Sequence, residues 1–115
     1  DQMTKVEIMP GPCGFLTTVT AERTGVKVRG HVEVEVHVDT QCGAVNTMMA
    51  ALGDKFDSQK ICLVHPGEGP FNEFAKTNFP VHVACPVIGG ITKCVEGEAG
   101  LGLKKDSYIK FIEEE

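Results

Sequence analysis

Three of the five cysteines in the chain stand beside glycine or proline, in settings that resemble one another. Cys13 lies in the segment Pro-Cys-Gly, Cys42 in Gln-Cys-Gly and Cys85 in Ala-Cys-Pro. A cysteine without a functional role is usually a small apolar residue of the core, whereas Gly and Pro mark the ends of strands and helices. Because backbone amides at such ends are free and stabilise a thiolate, these three cysteines predict a site for thiolate chemistry at one end of a sheet.

Thiolates bind soft metals, so the leading prediction is a metal or iron–sulfur binding protein with Cys13, Cys42 and Cys85 as ligands. A structural zinc ion takes four ligands, and His82 or Cys62 would be the fourth. A cluster held by three cysteines leaves one iron open, which suits carriage of a group better than turnover. The predicted cofactor is therefore an iron–sulfur cluster or zinc. No Cys-x-x-Cys pair is present, so tertiary structure must bring the ligands together.

Two further cysteines are predicted to be core thiols. Cys62 lies in a short apolar run, and Cys94 follows Ile91 at helical spacing on the buried side of a predicted helix. The two consecutive methionines, Met48 and Met49, are likewise interpreted as core residues rather than ligands. This separates the five thiols into a functional set and a structural set.

Short strands and helices are expected to position the cysteines. Alternating or continuous apolar residues predict strands over residues 5–9, 15–22, 26–39, 60–65, 81–84 and 107–112. Helical spacing of apolar residues predicts helices over residues 43–54, 70–78 and 86–100. Cys42 then precedes the first helix, and Cys85 is the N-cap of the third, with Pro86 at the first helical position.

The valine-rich segment over residues 26–39 carries the clearest periodicity in the chain. Valines alternate with His31, Glu33, Glu35 and His37, which predicts one long half-exposed strand that bends near Gly30. A metal strip along these polar residues is an alternative interpretation. A solvent-facing sheet surface explains the alternation more simply, and a hairpin break is expected at residues 24–25.

The length predicts a single domain over residues 1–115, because a chain of 115 residues builds one core rather than two. The order of elements gives an α+β (mixed α/β) fold. We expect a single-layer mixed sheet of about five to six strands packed by about three helices.

Charge and hydropathy exclude two classes of partner. The formal net charge is −5, with no tryptophan and one tyrosine, so nucleic acid is not an expected partner. No apolar run approaches the roughly 20 residues that span a bilayer, so no membrane partner is expected. No signal peptide is visible, which makes the cytoplasm the expected compartment. Cytosolic cysteines stay reduced, and five cannot all pair, so metal or sulfur chemistry is favoured over disulfides.

The chain resembles a small uncharacterised protein family of anaerobic prokaryotes over nearly its whole length. The similar segments are Pro-Gly-Pro-Cys-Gly-Phe at residues 10–15, Gln-Cys-Gly at 41–43, His-Val-Ala-Cys-Pro-Val at 82–87 and Glu-Ala-Gly-Leu at 98–101. This resemblance implies no activity. It implies that the three cysteines form a common feature in an oxygen-poor cytoplasm.

A second, local resemblance concerns Ala-Cys-Pro-Val-Ile at residues 84–88. This segment is similar to the Cys-Pro-x-Pro motif of TusA/SirA-like sulfur carriers, in which the cysteine accepts a persulfide. The resemblance implies that Cys85 is the acceptor and Pro86 the first proline. Ile88 stands where the second proline would be, and the motif lies late in the chain rather than near its start.

Two alternatives to metal binding therefore remain open. In the first, the protein is a persulfide carrier in which Cys85 is the nucleophile and Cys42 or Cys13 resolves the persulfide. In the second, it is a non-catalytic, homo-oligomeric interaction module whose valine-rich strand pairs between subunits. The chain would then form a homodimer or bind a protein partner that the sequence does not name.

Overall fold

Within residues 3–114, which the computed structural model describes, the chain forms four strands and four helices in one α+β arrangement. The strands are β1 (Thr4–Ile8), β2 (Thr17–Val28), β3 (His31–Asp39) and β4 (Lys55–Asp57). The helices are α1 (Gly43–Leu52), α2 (Ser58–Cys62), α3 (Pro70–Asn78) and α4 (Val87–Glu98).

The strands form one sheet in the order β1-β2-β3-β4, and every pair is antiparallel. One face is apolar and buried, with Val19 and Ala21 of β2 beside Val34 and Val36 of β3. The other face carries the polar residues that alternate with them, including Glu35, which is only partly buried. The expectation that the alternating polar residues of β3 form a solvent-facing surface is therefore confirmed.

The helices cover the apolar face of the sheet. Helix α4 packs on β1 and β2, helix α2 packs on β3, and α3 lies against α1 and α2. Helix α4 approaches β1 closely, because a side chain at Gly90 would overlap Ile8. The buried core combines both layers through Val19, Ala21, Val34, Val36, Val45, Met48, Phe56, Ile61, Phe71, Val87, Ile91, Cys94 and Val95.

The sheet differs from the prediction in its central hairpin. Residues 26–39 form parts of two strands rather than one bent strand, because Arg29 and Gly30 both adopt positive φ (53° and 82°). Two consecutive residues with positive φ make the type I′ turn that suits a hairpin. The expected break at residues 24–25 is instead an irregularity inside β2, where the register shifts between Arg23 and Lys27.

Three predicted strands are also wrong, so the sheet has fewer strands than expected and is not mixed. Residues 58–62 form α2, whose first turn is fixed by Asp57: its side chain accepts a hydrogen bond from the Gln59 N–H. Residues 81–84 and 107–112 are exposed and pair with no strand of the described chain. Local apolar composition does not make a strand unless a neighbouring edge completes its hydrogen bonds. The short β4 was missed, since three residues carry no periodic signal.

The three predicted helices are confirmed, and the short α2 adds a fourth. Pro70 occupies the start of α3, as expected. Helix α4 ends in a Schellman motif, in which the Leu101 N–H bonds the Glu96 carbonyl oxygen at 2.9 Å and Gly100 adopts φ +74°. Among the described helices, none combines the length and apolar character that crossing a bilayer requires.

Candidate functional site: the cysteine end of the sheet

The strand register brings three chain connections to one end of the sheet. Ile8, the last residue of β1, pairs with Thr17, the first of β2. Thr18 in turn pairs with Asp39, the last residue of β3. Helix α4 reaches this end with its N-terminal half, because Gly90 contacts Ile8. We call this the cysteine end.

Each of the three connections carries one of the predicted cysteines. Cys13 lies between β1 and β2, Cys42 lies between β3 and α1, and Cys85 lies two residues before the first residue of α4. The fold therefore gathers at one end three residues that are far apart in sequence. Cys13 is exposed, whereas Cys42 and Cys85 are half-buried and pack against the core.

The turn that holds Cys13 is closed by short-range hydrogen bonds. The Gly14 N–H donates to the Gly11 carbonyl oxygen at 2.9 Å, and the Leu16 N–H donates to the Gly14 carbonyl oxygen at 3.0 Å. Gly11 and Gly14 have φ of +102° and +71°, which a residue with a side chain rarely adopts. The turn thus holds Cys13 at the surface without packing it on the sheet.

Cys42 is the N-cap residue of α1, with an extended backbone at φ −72° and ψ 113°. Its own N–H donates to the Thr40 hydroxyl at 3.1 Å, and the Thr40 and Thr17 hydroxyls lie 2.8 Å apart. The side chain of Cys42 makes no capping hydrogen bond, and the first turn of α1 contains no acidic residue. The first amides of α1 are therefore free to stabilise negative charge near this thiol.

Cys85 lies one residue before the N-cap of α4, which is Pro86 rather than Cys85 as predicted. The first turn of α4 has neither a capping side chain nor an acidic residue. His82, the predicted fourth ligand, lies in the exposed connection before Cys85 and is not on a strand. Two uncapped helix N-termini thus meet the cysteine end, each next to a cysteine.

The predicted cysteine ligands lie at the same end of the sheet, but their sulfur atoms do not converge on one metal position. Among residues 3–114, one group of three Cys, His, Asp or Glu residues has its ligand atoms within 4.8 Å of one another. This group is Glu35, His37 and Asp54, and it contains none of the predicted ligands. Tetrahedral zinc with Zn–S bonds of about 2.3 Å places its sulfurs about 3.8 Å apart. The chain connections that carry the three cysteines would therefore have to move closer together for a shared site to form.

Of the other two thiols, Cys94 is buried in the core, as predicted, whereas Cys62 is half-buried and packs against the core, as Cys42 and Cys85 do. Cys94 is fully buried, and its Sγ lies 3.3 Å from the Thr4 carbonyl oxygen and 3.5 Å from the Val19 carbonyl oxygen. Cys62 ends α2 and points at the Thr92 carbonyl oxygen at 3.8 Å. Burial raises the pKa of both thiols to about 11, so both are almost entirely protonated at neutral pH and should react slowly.

The Glu35, His37 and Asp54 group lies on the polar side of β3 and was not predicted as a set. The His37 ring and the Glu35 carboxylate are hydrogen-bonded at 2.9 Å, and Lys55 lies 3.6 Å from Glu35 and 3.7 Å from Asp54. The hydrogen bond from His37 and the charge of Lys55 lower the pKa of Glu35. A lysine already balances these carboxylates, so the group is an ordinary solvated network.

A buried carboxylate at the opposite end of the sheet was also not predicted from the sequence. Glu98 is 5% exposed and accepts hydrogen bonds from the Thr4 hydroxyl at 2.7 Å and the Arg23 N–H at 3.0 Å. The Arg23 guanidinium lies 3.6 Å from the same carboxylate. A glutamate near a helix C-terminus is usually solvated, so its burial is not predicted from the sequence. Only the tertiary contacts show that Glu98 links α4 to β1 and β2.

The fold and site together define a small α+β protein with an antiparallel sheet and three cysteines gathered at one end. Residues 4–111 match the family of unknown function DUF6951, and the chain therefore belongs to that family. No curated protein and no solved structure matches the chain.

Proposed function

We propose that the protein binds a soft metal ion or an iron–sulfur cluster through Cys13, Cys42 and Cys85 at the cysteine end. The observation that carries the proposal is the division of the five thiols by the fold. Burial raises the pKa of Cys62 and Cys94 to about 11, whereas Cys13, Cys42 and Cys85 lie in the chain connections at one end of the sheet. Thiolates are the ligands that zinc, Cu(I) and iron–sulfur clusters select.

The helix N-termini support this use of the thiols. Binding requires Cys42 and Cys85 to lose their protons, and the amides at the starts of α1 and α4 stabilise the charge that develops. Neither helix start is occupied by a capping side chain or an acidic residue. The three thiolates of a bound site would thus be partly balanced by the protein itself as well as by the metal.

The turn around Cys13 is the element that we expect to move when the site closes. It is exposed and held by hydrogen bonds within residues 11–16, so displacing it breaks few contacts with the core. His82 is the better candidate for a fourth ligand, because it is exposed and its imidazole binds metal in the neutral form. Cys62 would first have to give up a proton held with a pKa of about 11.

Metal content of protein purified without oxygen tests the proposal. Wild-type protein is expected to carry stoichiometric zinc, or iron with a brown chromophore, that is lost in Cys85→Ser. Cys62→Ser is the matched control and keeps the metal, while loss in His82→Ala assigns the fourth ligand. Metal-free wild-type protein that is folded by circular dichroism would contradict the proposal.

A persulfide carrier is the second candidate, and the separation of the thiols favours it. A carrier needs one reactive cysteine rather than three that converge, and Cys85 precedes the uncapped start of α4. The Cys85 thiolate would attack the outer sulfur of a donor persulfide. The donor S–S bond breaks, its thiolate leaves, and Cys85 keeps the transferred sulfur as a persulfide.

Mass spectrometry after incubation with a small-molecule persulfide separates the two candidates. A carrier gains one sulfur atom, about 32 Da, on Cys85 and loses this gain in Cys85→Ser. Equal labelling of Cys13 and Cys85 would argue against a dedicated acceptor. Both candidates require reduced thiols, and we therefore assign the protein to the reducing cytoplasm.

A further inference from the structure

The C-terminal segment exposes large apolar side chains to an unusual degree. Tyr108, Ile109, Phe111 and Ile112 are 86%, 92%, 98% and 87% exposed. They lie within five consecutive residues, so they form one apolar segment rather than scattered surface residues. Soluble monomers rarely leave such a continuous apolar segment in water, and a segment of this kind marks an interaction site.

The segment leaves the body beside the start of β1. A side chain at Gly97 would lie 3.1 Å from Cγ of Lys104 and 3.7 Å from Cγ2 of Thr4, so these three residues are neighbours. Beyond Lys105, residues 106–114 have no helix or strand assignment and remain exposed. The anchor of the segment is therefore fixed, while its apolar residues extend away from the core.

The sheet has one long edge to which such a segment can be added. In the order β1-β2-β3-β4, only β1 and β4 lie at edges of the described sheet, and β4 spans three residues. β1 spans five residues, and its outer backbone groups are unpaired within the described chain. An unpaired edge of this kind accepts an extended segment by β-strand addition.

We infer that residues 107–112 of one copy add as an antiparallel strand to the outer edge of β1 in a second copy. The inference is independent of the proposed metal site. Alternation divides the segment into one face with Ile109 and Phe111 and another with Tyr108, Lys110 and Ile112. This matches β1, whose Thr4, Val6 and Ile8 face the helices and whose Lys5 and Glu7 face the open side of the sheet.

One register satisfies both faces at once. With Lys110 opposite Glu7 of the second copy, Phe111 lies opposite Val6 and Ile109 lies opposite Ile8. The apolar pairs then cover the helix side of the edge, where Val6 is only half-buried. The opposite charges of Lys110 and Glu7 lie side by side on the open face, where such cross-strand pairs are favourable.

The direction of the connection favours a second molecule over the same chain. In this register Tyr108 lies opposite Met9, just beyond the end of β1 that is far from Thr4. The segment leaves the body near Thr4, since Lys104 and Thr4 both lie beside Gly97. A segment that continued from there along its own β1 would run parallel to that strand. The antiparallel register instead requires the segment to enter from the Met9 end, as the segment of another molecule can.

The exchange buries an area that approaches that of stable interfaces. Each aromatic side chain buries about 150–250 Å² when it is covered, so the four aromatic side chains of two reciprocal segments contribute at most about 600–1,000 Å². The four isoleucines and the two covered β1 edges add to this, toward the lower limit of about 1,200 Å² for stable interfaces. Reciprocal pairing also gives the closed two-fold symmetry that most homodimers have.

Light scattering on size-exclusion fractions of full-length variants tests the inference. Wild-type protein is expected to have the mass of two chains, and the double variant Ile109→Asp/Phe111→Asp that of one chain. Both substituted residues are more than 90% exposed in one chain, so the fold should survive. Val81→Asp is the matched control, since Val81 is equally exposed in a different segment and this variant should remain dimeric.

A charge exchange tests the register. Glu7→Lys and Lys110→Glu are each expected to weaken the dimer severalfold in sedimentation equilibrium, and the combined variant is expected to restore it. Hydrogen exchange should show β1 amides protected in the wild type and faster in the aspartate double variant. A wild-type monomer, or a dimer that persists unchanged in the aspartate double variant, would overturn the inference.

Discussion

The two ends of the sheet use polar and sulfur-containing groups in opposite ways. At the end near Glu98, the buried carboxylate accepts hydrogen bonds from the Thr4 hydroxyl and the Arg23 N–H. At the cysteine end, the thiols of Cys42 and Cys85 lie beside helix starts that no side chain caps. The same antiparallel topology thus ties α4 to the sheet through a buried carboxylate at one end and places thiols beside uncapped helix starts at the other.

The difference also separates two kinds of interaction. The C-terminal segment leaves the body beside Thr4, whereas Cys13, Cys42 and Cys85 lie beyond Ile8 at the other end of β1. A dimer built through residues 107–112 therefore need not cover all of the cysteine end. Metal binding and self-association are expected to respond to different substitutions.

The largest expected effect is at the end near Glu98. Glu98→Ala leaves the Thr4 hydroxyl and the Arg23 N–H without their acceptor in the core, and should lower the free energy of unfolding by about 3 kcal/mol. Glu98→Gln keeps one acceptor oxygen and should lose less than the alanine variant. Urea unfolding measures both. A loss below about 1 kcal/mol in Glu98→Ala would mean that this carboxylate is effectively solvated.

The second prediction compares the two thiol sets directly in metal-free protein. At pH 8 a thiol with a pKa of about 11 is roughly one part in a thousand thiolate. Cys62 and Cys94 should therefore react with a thiol reagent at least about 100-fold more slowly than exposed Cys13. Peptide mapping after timed alkylation gives each rate. Equal rates at Cys94 and Cys13 would remove the distinction between the sets.

The third prediction concerns the approach of α4 to the cysteine end. Gly90→Ala places a methyl group against Ile8 and should destabilise the protein by about 1–2 kcal/mol. Gly89→Ala meets open space, so the gain in helix propensity should stabilise it by about 0.5–1 kcal/mol. Thermal unfolding of the pair gives the sign of each. If both alanines stabilise, the contact between α4 and Ile8 is looser than described.

The smallest effect concerns Asp57, between β4 and α2. Burial raises the pKa of its carboxyl, but hydrogen bonds from His31 and from the Gln59 N–H outweigh it and leave the pKa below its ordinary value of 3.8. The stabilising charge is therefore present above about pH 4 and lost as the pH falls through the lower native pKa. Asp57→Ala should lose about 1 kcal/mol at neutral pH, because the cap of α2 is removed.

Asp57→Asn is the matched control, because asparagine also caps helices but does not titrate. Its difference from the wild type in urea unfolding should shrink as the pH is lowered below 3.8. A difference that stays constant down to pH 2 would show that the carboxyl has no depressed pKa.

Local sequence signals predicted the elements that begin and end on special residues. Pro70 marks the start of α3, and Gly100 follows the end of α4. The alternation of Val34 with Glu35 predicted which face of β3 is buried. The hairpin turn at Arg29 was missed, because arginine is not among the residues that normally adopt positive φ there.

Tertiary contacts determine the features that sequence could not predict. Repeated Gly and Pro neighbours located Cys13, Cys42 and Cys85, but strand register decides that they share an end of the sheet. Glu98 carries no local sign of burial, since its partners Thr4 and Arg23 come from distant strands.

Differential alkylation with and without a chelator tests the central claim, that the cysteine end is one thiolate site. In protein loaded with zinc, Cys13, Cys42 and Cys85 should be protected together and should become reactive together when the chelator is added. Cys62 and Cys94 should react slowly in both states, which provides the internal control. Rates at Cys13, Cys42 and Cys85 that are the same with and without the chelator would contradict the shared site.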